Sequence, residues 1–108
     1  MITIKDEHIL LDQTYNNAEA AIVAAGEFLV GHGLVSPPYI DSIQVPDGVN
    51  FGSSKEPQIA TILFVVALKE KQLEALQDIA FFCSDIENVM ALSDAKDLQA
   101  VQTILQIS

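Results

Sequence analysis

Few side chains in this sequence can do chemistry, and their spacing limits what that chemistry could be. The chain has two histidines, His8 and His32, and a single cysteine, Cys83. His8 stands among Asp6, Glu7 and Ile9 and reads as a solvated, pH-sensitive surface group. His32 lies between Gly31 and Gly33 at a predicted helix end, where a cationic ring would favour the negative terminus. No partner group that would make it a nucleophile or a base is identifiable. Two histidines without a positioned carboxylate or thiol set give no metal-ligand pattern, and no cofactor is called for. Cys83 falls on an apolar helical face and reads as a small buried hydrophobe, not a nucleophile. Asp47 before Gly48 reads as a turn residue. Lys69, Lys71 and Gln72 form the most informative polar cluster. They follow the carboxyl end of a predicted strand, where open α/β sheets place ligands. They could contact a ligand or a protein partner, although an exposed lysine commonly does no more than solvate the surface.

That cluster depends on the stretch before it, Gln58 to Leu68. From Ile59 to Leu68 there is no charge, Gly or Pro, and β-branched residues dominate. This reads as a strand buried on both faces, the central strand of a sheet covered by helices. It is too short to cross a bilayer as a helix.

The flanking segments supply the cover. Ile2 and Ile4 alternate with polar residues and precede Ile9-Leu10-Leu11, which suggests a short strand or extended arm. Asn16-Asn17 offers an N-cap to a helix carrying Ala18, Ala21, Ile22, Ala25, Phe28 and Leu29 at helical spacing, with Gly31 or Gly33 closing it. Ser36-Pro37-Pro38 breaks that helix, and Pro38 could open a short one through Tyr39, Ile40 and Ile43. Gln44 to Gly52 reads as a strand end, a tight Asp-Gly turn and a short return. After Leu68, three helices follow in succession. The first carries Leu73, Leu76, Ile79, Ala80 and Cys83. The second opens on a capping box, Ser84-Asp85-Ile86-Glu87. The third, capped by Ser93-Asp94, carries Leu98, Val101, Ile104 and Leu105.

With 108 residues, half of them hydrophobic, the chain suffices for one domain with a core. Fifteen acidic against five basic side chains give a net charge of −10. That argues against unspecific nucleic-acid binding and against an anionic membrane surface. Charged partners would be basic. The acidic positions Glu7, Glu19, Glu27 and Asp41 read as a soluble surface. A single cysteine and no basic, apolar leader point to the cytoplasm, without membrane insertion.

Several blocks, in order, resemble one family. Residues 18–30, then Gly33-Leu34-Val35, Pro38-Tyr39-Ile40 and Ile43, are similar to the first long helix and following turn of the mannitol/fructose-type (type 2) IIA domains of the bacterial sugar phosphotransferase system. Pro46-Asp47-Gly48-Val49-Asn50-Phe51-Gly52 resembles that family's Pro-Glu-Gly-Val-x-Phe/Trp-Gly turn. The apolar strand, the helix from Lys71 and Ser84 to Val89 also fit. The resemblance implies an α/β fold, a mixed β-sheet sandwiched by helices in a single domain spanning 1–108. It implies a phosphoryl carrier that takes its group from the phosphocarrier protein HPr and passes it to a permease IIB domain. That chemistry needs a neutral imidazole nitrogen as nucleophile, and donors around the phosphoryl oxygens.

The sequence departs from the family at the 43–44 junction. There the family has a few dozen further residues, including a strand and an Ile-Ala-x-Pro-His segment with the phosphorylated histidine. A second family histidine corresponds to Gln72. Neither catalytic histidine carries over, so the resemblance assigns no catalytic residue, and whether the chain is an enzyme stays open. Two explanations remain: a genuine deletion, or a parent chain whose intervening residues are not in this sequence. The corresponding functions are a relay component of sugar uptake and a phosphorylation-dead regulatory or protein-interaction module. An acidic homo-oligomer is a third possibility.

Overall fold

The computed structural model describes residues 2–31, 39–67 and 73–107. Among these residues the sheet has three strands in the order β1-β2-β3: β1 (Ile9–Leu10), β2 (Tyr39–Asn50) and β3 (Ile59–Ala67). β1 runs parallel to β2, with Ile9 opposite Ser42; β3 runs antiparallel to β2, from Tyr39 opposite Ala67 to Asn50 opposite Ile59. Helix α1 (Ala18–Gly31) lies between β1 and β2 in the chain, and α2 (Leu73–Cys83), α3 (Ile86–Asp94) and α4 (Leu98–Ile107) follow β3. This is the mixed, helix-covered sheet expected.

The two sheet faces are covered differently. One core joins Ile2, Ile4 and Ile9 to Phe82, Leu92, Val101 and Leu105, with Ile40, Ile62 and Phe64 of the sheet packed against it. Each fully buried aliphatic or Phe side chain there contributes about 1.5–3 kcal/mol. The arm Ile2–Ile4 is tied to α4 as well: the Ile2 amide donates to the Leu105 carbonyl over 3.3 Å, and Gln102 Nε2 donates to the Ile4 carbonyl over 2.6 Å. Ile43, Val45 and Ala21 are also fully buried but outside that cluster. Strand alternation sends Ile43 and Val45 to the opposite face from Gln44, so α1 covers the second face.

Four expectations are corrected. The central strand is β2; β3 lies at the sheet edge and its residues 60–66 are only half-buried. An apolar run marks a buried strand only when both lateral neighbours exist, and among the described residues β3 has one. Tyr39 to Ile43 is strand, not helix, because it pairs residue by residue with 63–67. Pairing of this kind overrides a helical apolar spacing. Asp47-Gly48 is not a hairpin turn. It sits within β2, where four residues (45–48) face Thr61 alone, with Gly48 at φ +82°. A bulge uses the same left-handed glycine as a tight turn. Asp41, read as surface, is fully buried because β2 is the middle strand.

The helix caps also differ in part. Asn17 caps α1 as expected, its Oδ1 accepting from the Ala20 amide at 2.8 Å. At α3 the N-cap is Asp85, not Ser84: Asp85 Oδ1 accepts from the Glu87 amide at 2.9 Å, while Ser84 Oγ donates back to the Phe81 carbonyl. Asp97, not Ser93-Asp94, caps α4 by accepting from the Ala100 amide at 2.8 Å.

Candidate functional site

Lys69, Lys71, Gln72 and His32 lie outside the described residues. What is described is the frame from which their segments depart. Tyr39 and Ala67 are Cα partners at one end of the β2–β3 ladder. The chain enters β2 there from residues 32–38 and leaves β3 there into residues 68–72. Two of the chain's five lysines belong to that second connection.

At the other end of the ladder a loop is built on Asn50. Its Oδ1 accepts from the Gly52 amide at 2.8 Å and the Gln58 amide at 2.9 Å. The Phe51 amide donates to the Gln58 carbonyl at 2.9 Å. Gly52 allows this closure, since a Cβ there would collide with the Glu56 carbonyl oxygen and stand 2.8 Å from the Gln58 nitrogen. Asp47 is exposed within the irregular part of β2 and is not the turn residue expected.

Between the two ends, polar groups lie at the centre of β2. Gln44 Nε2 donates to the carbonyls of Leu92 (2.7 Å), Ala95 (2.8 Å) and Ser93 (3.2 Å). Its Oε1 accepts from the Asp12 amide at 3.0 Å. One side chain thus gathers three carbonyls at the end of α3, of which that of Leu92 also accepts from the Ala95 amide at 3.3 Å. Nearby, Thr61 Oγ1 meets Ser93 Oγ at 2.5 Å, and Ser93 Oγ itself donates to the Val89 carbonyl at 2.8 Å. Thr61 is therefore the donor of that pair. On the α1 face, His8 Nδ1 lies 3.8 Å from Oδ1 of the buried Asp41, and the His8 side chain keeps 15% exposure. That spacing is an ionic contact for a protonated ring, too long for a hydrogen bond.

Cys83 is corrected: it is exposed at the end of α2, although partial burial still pushes its thiol up from the ordinary value. Among the described residues no group of three or more His, Cys, Asp or Glu could hold a metal ion. Sequence reasoning missed Gln44, Asn50 and Asp41 as structural centres. The available signal was the presence of polar side chains inside a segment that had to be strand.

The family model described as "Phosphoenolpyruvate-dependent sugar phosphotransferase system, EIIA 2" matches residues 40–107. The mannitol-specific phosphotransferase enzyme IIA component of Enterococcus faecalis is 33% identical over 137 aligned positions, covering 93% of this chain and 94% of the relative. The component of the same name from Geobacillus stearothermophilus is 30% identical over 142 positions, covering 97% and 96%. Among solved structures, a chain of the Escherichia coli complex of mannitol IIA with phosphorylated mannitol IIB superposes with a TM-score of 0.80 at 20% identity, covering 97% of this chain and 98% of the other. The crystal structure of Escherichia coli mannitol IIA gives 0.79 at 19%, covering 96% and 99%. These last two establish the shared fold. With the family match over more than half its length and a relative 33% identical, this chain belongs to the type 2 EIIA family of the phosphoenolpyruvate-dependent sugar phosphotransferase system.

Proposed function

We propose that this chain serves as the IIA component of a mannitol-type phosphotransferase system, taking a phosphoryl group from HPr and handing it to a IIB domain. The observation that carries this reading is the 33% identity, across 93% of this chain, to a mannitol-specific IIA component of Enterococcus faecalis, and the shared fold agrees with it. The work is protein docking followed by phosphoryl transfer, so a relaying domain must present a docking surface and a nucleophile, the latter from the histidine segment that this sequence does not contain. Lys69, Lys71 and Gln72 are our candidates for contacting the phosphoryl group or the partner, because two of five lysines fall within three residues there. An ammonium beside a transferring phosphoryl group stabilises its charge. We assign the protein to the cytoplasm. No described helix is long and apolar enough to cross a membrane, which is consistent with that assignment.

A second reading has its own support. The Enterococcus and Geobacillus matches run over 137 and 142 positions, more than the 108 residues of this chain, so those relatives carry residues that have no counterpart in it. We assign the gap to the 43–44 junction. β2 runs unbroken through that junction, with Ile43 and Gln44 both buried and paired in register to Leu63 and Ile62. A fold that closes without the segment would suit a phosphorylation-dead module that docks without relaying.

Intact mass spectrometry after incubation with phosphorylated HPr, followed by addition of IIB, separates the two readings. An acid-labile gain of about 80 Da that passes to IIB supports the relay. Binding to IIB with no gain supports the docking module. Neither gain nor binding would sink both.

A further inference from the structure

We draw no further inference here: the strongest candidate, the apolar surface presented by the exposed side chains of Phe81 at the end of α2 and of Ile86 and Met90 on α3, is an unpartnered helix face, and nothing in the structure shows what covers it.

Discussion

The side-chain amide of Gln44 donates to the carbonyl of Leu92 over 2.7 Å, joining residues 48 apart in sequence. The same nitrogen reaches the carbonyls of Ser93 and Ala95, and the Gln44 carbonyl groups, side-chain and main-chain, accept from the amides of Asp12 and Gln13. The middle of β2 is thereby fastened to the end of α3 on one side and to the segment after β1 on the other. Gln44 is 4% exposed, so no water can replace these bonds cheaply.

Gln44→Leu keeps much of the volume and removes every side-chain bond. It leaves the carbonyls at the end of α3 and the Asp12 amide short of partners, and should cost about 2–3 kcal/mol in urea unfolding. Gln44→Glu is the sharper test. Its carboxylate would point an acceptor at three acceptors, so this variant should be less stable than Gln44→Leu at neutral pH. Burial among carbonyls favours the protonated acid in the folded state. Its stability should therefore improve as pH falls and worsen as pH rises. A Gln44→Glu variant as stable as the parent at neutral pH would contradict the bonding described.

Gly48 and Gly52 should tolerate alanine badly, for different reasons. Gly48 has φ +82°, and an added Cβ would stand 2.6 Å from Ile59 Cγ2. Backbone strain there costs on the order of 1–3 kcal/mol. Shortening Ile59 to Ala in the same chain should recover the steric part and leave the strain. At Gly52 the obstruction is the backbone of Glu56 and Gln58, which cannot rotate away. No side-chain truncation should rescue Gly52→Ala. Thermal unfolding of the two single variants and of the Gly48→Ala, Ile59→Ala double variant checks both claims.

Much of this fold is legible in the sequence where periodicity meets a cap. α1 follows from Asn17 and the Ala-rich spacing behind it, and β3 follows from ten residues without charge, Gly or Pro. The N-terminal arm follows from Ile2 and Ile4 alternating, both buried as that pattern requires. β2 is not legible in the same way. Tyr39, Ile40 and Ile43 suit a helix face, and Asp41, Ser42 and Gln44 look like surface. Only the register against β3 and β1 makes them central, and register is a tertiary property. The bulge at Gly48 was read as a hairpin because both need a left-handed glycine between apolar flanks. The polar run Lys69 to Gln72 after an apolar strand is the candidate the sequence offers, and it lies outside the described residues, while the bonding of Gln44 had no local signal beyond its polarity.

The caps of α3 offer a test between two sequence patterns. Ser84 and Glu87 have capping-box spacing, yet the bond to the helix is made by Asp85 Oδ1 to the Glu87 amide at 2.9 Å. Asp85→Ala should therefore cost about 1 kcal/mol, and Ser84→Ala clearly less. Equal losses, or a larger loss at Ser84, would restore the capping box. Equilibrium urea unfolding of both variants resolves a difference of that size.

The Cys83 thiol should be slow to react despite its exposure. Burial raises its pKa above the ordinary thiol value, so less thiolate is present at neutral pH than in an unstructured peptide. Iodoacetamide should accordingly label native Cys83 more slowly than the urea-unfolded chain at pH 7, and the two rates should converge at high pH. The linkage has a definite sign. The folded chain holds this proton more tightly than the unfolded one. Any stability from it is full below the ordinary thiol range and lost as pH rises through the raised folded value. A pH–rate profile with its midpoint below the ordinary thiol value of about 8.5 would mean that an activating group faces Cys83 instead.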